Sequence, residues 1–204
     1  ASQFTGFSGD VGWQYEEWLE GKLSVDPGSK LESVSGDASA TLRERKQVGD
    51  KLELDRGGNM AARFDGSEFT GIGGDVTWIY DTWLGGTINI KQYSKLDSID
   101  GSASATVKHN KVLGSGFELQ AGGSLTVDLA GGDVDKFQGK VNWQYQDWIQ
   151  GSVDLQPSTL EQIKGSAEAT LLKEKPLGDG GLTLQPGGAI LVEIDTGKDI
   201  GGQS

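Results

Sequence analysis

The chain of 204 residues contains no cysteine, one histidine, one methionine and only four prolines. Without cysteine there can be no disulfide, thiolate metal site or cysteine nucleophile. The single histidine, His109, stands beside Lys108 with no nucleophile pattern near it, so acyl transfer and histidine-bound metal find no support. Basic residues are also few, 18 Lys and Arg against 30 Asp and Glu, giving a net charge of −12. Phosphate binding needs clustered cations, so nucleic acid is not an expected partner. No apolar run approaches the roughly 18 residues of a membrane-spanning helix, and no charged-then-apolar leader is present.

Glycine, by contrast, is abundant, with 33 residues and no Gly-X-Y period, which excludes collagen and favours strands and turns. All six tryptophans fall in a stretch that occurs three times, at 7–25, 72–90 and 137–155. Trp13, Trp78 and Trp143 are 65 residues apart, as are Phe7, Ile72 and Phe137. A period of this size describes units that bury their apolar faces only against each other. Repeat one spans 7–71, repeat two 72–136 and repeat three 137–195, with a tail at 196–204 that abandons the pattern and reads as an end of the array.

Within each copy the polarity alternates with a period of two. Val11, Trp13, Tyr15, Glu17, Leu19, Gly21, Leu23 and Val25 share one parity, and Gln14, Glu16, Trp18, Glu20 and Lys22 the other. Alternation over 15 residues predicts one long strand. A second strand carries Val34, Gly36, Ala38, Ala40 and Leu42, and a third Leu52, Leu54, Gly58, Met60, Ala62 and Phe64. Turns are expected at Asp26–Ser29, at Val48–Asp50 and between repeats at Gly66–Gly71. The third copy loses one residue near Pro157 and gains one near Gly178–Gly181, both within expected connections.

The predicted fold is all-β, an antiparallel meander of three 65-residue repeats with about three long strands each. Gly21, Gly36 and Gly58, with Gly86, Gly101, Gly123 and Gly151, Gly165, Gly188, would then form a row across the sheet. Such a row predicts a crease that folds the sheet into a sandwich or flattened barrel, with Trp13 and Tyr15 in its core over Ala38 and Ala40. An alternative stays open at Arg56-Gly57-Gly58 and its copies, which could be tight turns that give five shorter strands per repeat.

Three groups of residues invite functional reading. Trp18, Trp83 and Trp148 have the parity opposite to the core tryptophans, and a row of exposed rings could bind a polysaccharide or an aromatic-seeking partner. Against this, each ring could simply cover neighbouring side chains. Asp10, Asp75, Asp133 and Asp135 could offer carboxylates to calcium, but no complete loop signature is present and Lys140 replaces the acid in the third copy, so no metal or cofactor is expected. Position 17 drifts from Glu17 to Thr82 to Asp147, as a tolerated polar slot would. Carboxylate pairs arise by number alone among thirty acids. Nothing in these residues points to an enzyme.

The repeated Trp-x-Tyr-x-x-Trp-[Leu/Ile]-x-Gly, followed by 31–41 and its copies 96–106 and 160–170, resembles glycine-rich β-repeat regions of large bacterial secreted proteins, some of which accompany contractile injection systems. The resemblance covers nearly the whole chain and carries over no site residue. It implies a structural or delivery-associated module with an extracellular or cell-surface location. Three classes of function follow: a spacer, scaffold or shell that self-associates or meets neighbouring repeats through its edge strands, a binding module using the three tryptophans, or a lipid-carrying β-trough.

Overall fold

A computed structural model describes residues 5–178 and 180–197, all in strands, turns and connections with no helix. The first copy contributes β1 (Phe7–Tyr15), β2 (Leu19–Ser29), β3 (Gly36–Leu42), β4 (Lys46–Gln47), β5 (Leu52–Leu54) and β6 (Asn59–Asp65). The second contributes β7 (Glu68–Tyr80), β8 (Leu84–Ser94), β9 (Gly101–Val107), β10 (Lys111–Gly114) and β11 (Phe117–Ala130). The third contributes β12 (Asp133–Tyr145), β13 (Ile149–Ser158), β14 (Lys164–Leu171), β15 (Lys175–Leu177), β16 (Leu182–Leu184) and β17 (Ala189–Asp195). One large antiparallel sheet has the order β1-β2-β3-β6-β7-β8-β9-β11-β12-β13-β14-β17, a meander in chain order, and β15 with β16 forms a separate ribbon.

The long first strand of each copy is instead a hairpin. β1 pairs with β2 so that Tyr15 faces Leu19, Trp13 faces Gly21 and Val11 faces Leu23, around the three-residue turn Glu16–Trp18. A three-residue loop pairs residues of equal parity, so an unbroken period-2 pattern runs through the turn unchanged. Each copy therefore supplies four strands to the meander, not three. The expected third strand is continuous as β11 in copy two, whereas in copy one β5 and β6 lie end to end along β7 with an interruption at Asp55–Gly58.

Several connections also move. Asp26-Pro27-Gly28 is a bulge inside β2, opposite the register shift between Phe7 and Gly9, and the turn lies at Leu31-Glu32. Proline is tolerated there because a bulge leaves an N–H unpaired anyway. In copy three the corresponding shift is one residue shorter, which is where the deletion falls. The connection between the first two repeats shrinks to Gly66-Ser67, whose φ angles of 61° and 69° belong to a tight hairpin turn.

The described residues form two compact units, one with residues up to Asp81, Gly86–Ala103 and Leu129–Asp133, the other with Thr82–Gly85, Ser104–Asp128 and residues from Val134 onward. In the first, cross-strand rows read Val11-Leu23-Ala38-Ala62-Ile72 and Trp13-Gly21-Ala40-Met60-Gly74 on one face. In the second they read Val141-Val153-Ala167-Val192 and Trp143-Gly151-Ala169-Ile190. Large and small residues do interdigitate, but sideways along one layer. The Trp13 ring lies across Gly21 and the Trp143 ring across Gly151, where any Cβ would meet the indole.

This arrangement overturns the crease. Gly21 neighbours Trp13 and Ala40, while Gly36 neighbours Val25 and Phe64, so the glycines are not side by side. The burial of the described residues likewise fits neither a sandwich nor a flattened barrel, either of which would bury one whole face of the strands. Trp13 is 37% and Tyr15 57% exposed, far from core burial. Among the described residues the buried apolar side chains are Leu42, Val107 and Leu171, one per copy.

Candidate functional site

The tryptophan hairpins recur in all three copies, each with a lysine over its ring. Trp18, Trp83 and Trp148 each end the three-residue turn that joins the first two strands of a copy, and each is half-buried. Their carbonyls accept backbone N–H bonds from Arg43, Lys108 and Leu172 at 2.7 to 2.8 Å, tying the turn to the chain that leaves the third strand. A lysine ammonium stands over each ring: Lys46 over Trp18 at 4.7 Å, Lys111 over Trp83 at 5.5 Å and Lys175 over Trp148 at 5.2 Å. Such contacts contribute about 0.5–1 kcal/mol at exposed sites. Tyr15 and Tyr145 meet Trp18 and Trp148 edge to face at 6.0 and 6.2 Å.

Neither glycine nor proline makes this turn. Glu16, Asp81 and Gln146 hold φ near +50°, a conformation that is costly for residues with a Cβ. In copies one and three side chains support it. The Gln14 amide donates to the Glu16 carbonyl at 2.9 Å and the Trp18 indole N–H to the Glu16 carboxylate at 2.7 Å. Gln144 and Trp148 make the same two bonds to Gln146, at 2.8 and 3.1 Å. Copy two has Ile79 where the others have Gln14 and Gln144, and Asp81 is one methylene too short to match Glu16. The Trp83 indole N–H is accordingly buried without a partner, Asp81 lies 3.5 Å from Lys51, and Thr82 also takes a positive φ of 60°.

The other candidates are placed as follows. Glu17, Thr82 and Asp147 are the exposed middle residues of the turns, not an inner-face slot. Asp147 is held below the usual carboxylate range, chiefly by the hydrogen bond from Lys173. Asp10 is lowered for the same reason by Lys22, 2.9 Å away. No group of three His, Asp or Glu among the described residues could hold a metal ion. His109 is exposed, its backbone N–H 3.3 Å from the Trp83 carbonyl.

Two repeated features escaped sequence reasoning. Ser29, Ser94 and Ser158 are buried, Ser158 to 2% exposure. Each hydroxyl donates to a carbonyl just upstream (Asp26, Lys91, Gln156) and accepts an N–H from across the hairpin (Ser35, Asp100, Lys164). These serines pin the second hairpin of each copy, and their recurrence at the same place in each copy was the only signal available. Leu31, Leu96 and Leu160 occupy the tips of the same hairpins at 66 to 82% exposure.

Hollows on the sheet are shallow. One of about 250 Å³ is lined by Leu23, Val25, Val34 and Phe64; another of about 350 Å³ is lined by Gln120, Asn142, Gln150, Ser152, Glu168 and Thr170. No helix among the described residues is long and apolar enough to cross a membrane. No protein-family model, curated protein or solved structure matches the chain.

Proposed function

We propose that this chain is a non-enzymatic structural β-repeat module, a rigid spacer or scaffold segment of a bacterial secreted or surface protein. The observation that carries this reading is the junction of the first two repeats. β5 and β6 of repeat one are hydrogen-bonded to β7 of repeat two, so one copy completes the sheet of the next. Stability of such an array grows by neighbour pairing, not by a central core. The lysines over Trp18, Trp83 and Trp148 support the same reading, since a ring face that would stack on a sugar is already in use.

The reading predicts that the array is extendable. A variant with a second copy of residues 72–136 inserted after Lys136 is expected to fold with undiminished thermal stability. Four added strands spaced about 4.8 Å apart should lengthen the largest small-angle-scattering dimension by about 19 Å. An insert that unfolds, or leaves that dimension unchanged, would contradict a spacer role.

A further inference from the structure

β1 and β17 stand at the two ends of the strand order, and their residues are copies of a pair already joined inside the chain. By the repeat, β17 corresponds to β6 and β1 to the second half of β7. At that internal junction Met60 faces Gly74, Ala61 faces Gly73 and Ala62 faces Ile72. The equivalent residues at the ends are Ile190 with Gly9, Leu191 with Ser8 and Val192 with Phe7.

One glycine makes the case specific. Gly74 has φ +128° and Gly139 φ +140°, and in each a Cβ would strike the carbonyl oxygen of the neighbouring strand, Asn59 in one copy and Ser124 in the other. Gly9, their counterpart in β1, keeps the same conformation with φ +154° but has nothing within 4 Å of its Cβ position. β1 thus holds a backbone shape that elsewhere receives a partner carbonyl, and by the repeat that carbonyl belongs to Ala189. The β17 edge is equally ready. Ile190, Leu191 and Val192 are 52 to 67% exposed, and the strand contains no lysine or proline, its charges, Glu193 and Asp195, lying beyond this apolar run.

We propose that β17 of one molecule adds antiparallel to β1 of a second copy of this chain, in the register Ile190 to Gly9, Leu191 to Ser8 and Val192 to Phe7. The contact is head-to-tail, so each added chain presents a fresh edge, and the product is a ring or a filament according to whether the rotation closes. It rests on the structural-module reading but is tested separately, because the inserted-repeat experiment measures extension within one chain and this one measures pairing between chains.

The absence of cysteine makes a clean trap possible. Phe7→Cys chains mixed with Val192→Cys chains under a thiol–disulfide buffer are expected to form mixed dimers about tenfold faster than Phe7→Cys with Leu191→Cys, whose side chains project to opposite faces. Ser8→Cys with Leu191→Cys provides a second in-register pair if Phe7→Cys fails to fold. In sedimentation velocity the natural chain and Gly12→Thr, which matches Thr77 of copy two, should gain mass with concentration. Gly9→Val should need about tenfold more protein for the same gain. Equal trapping in and out of register, or a mass independent of concentration, would each overturn the proposal.

Discussion

Gly21→Val is expected to destabilise the chain by about 3 kcal/mol, seen as a lower urea midpoint. Gly21 faces Trp13 on one side and Ala40 on the other. A Cβ there would meet the Ser39 carbonyl oxygen and the six-membered ring of Trp13. Neither can yield cheaply, because the carbonyl is part of the backbone ladder and the indole fills the space above the glycine. Displacing the ring would also forfeit the sideways cover that substitutes for a second layer. Gly12 lies in the same hairpin with nothing within 4 Å of its Cβ position, so Gly12→Val should leave the midpoint within about 0.5 kcal/mol of the natural chain. Equal effects of the two valines would remove the argument that Gly21 is a seat for Trp13.

Leu171→Ala is expected to cost about 3 kcal/mol. Leu171 is 8% exposed, and its Cδ1 lies against Gly188. Its backbone exchanges two 2.9 Å bonds with Gly187 and Gly188, fixing the point where the short ribbon β15–β16 leaves the sheet. Leu42 repeats this arrangement with Gly57 and Gly58. With so few buried apolar side chains, each is a large fraction of what holds its copy together. Leu31→Ala, at a hairpin tip with 82% exposure, should change the midpoint by no more than about 0.5 kcal/mol. A Leu171→Ala midpoint equal to that of Leu31→Ala would show that the ribbon base contributes nothing to stability.

The all-β meander and its antiparallel order were legible in the alternation, because each strand half does place Trp13, Leu23, Ala38 and Met60 on one face. The hairpin inside the first stretch was not. Tyr15-Glu16-Glu17-Trp18-Leu19 has no Gly, Pro or Asn, and an odd loop conserves parity, so neither composition nor period marks the reversal. What makes it possible is local side-chain bonding that leaves no mark on composition or period: Gln14 and Trp18 both bond Glu16 in its left-handed conformation. Conversely, Pro27-Gly28 looked like a turn and is a bulge. Parity alone then suggested a packed interior, since a half-apolar strand usually has a second layer; here the apolar face is covered from the side by its own neighbours.

Trp18, Trp83 and Trp148 have the parity opposite to Trp13, but not because they line the far face of a strand. These rings project from turns, and their lysine partners come from Lys46, Lys111 and Lys175, far along the chain. Period analysis cannot connect residues that meet through a separate short hairpin. Ser29 and its copies were invisible for a related reason, since a buried hydroxyl that bonds two backbone groups leaves no trace in hydropathy.

The central claim is that the sheet is a single layer within each unit, and thiol labelling on its two faces tests it most directly. Ala38 lies on the apolar face between Leu23 and Ala62, and Ser39 on the opposite face between Lys22 and Ala61. A single layer predicts that Ala38→Cys and Ser39→Cys react with a soluble maleimide at rates within about tenfold of each other, whereas a sandwich would bury only the first. Protection of Ala38→Cys by about a hundredfold relative to Ser39→Cys would contradict the account.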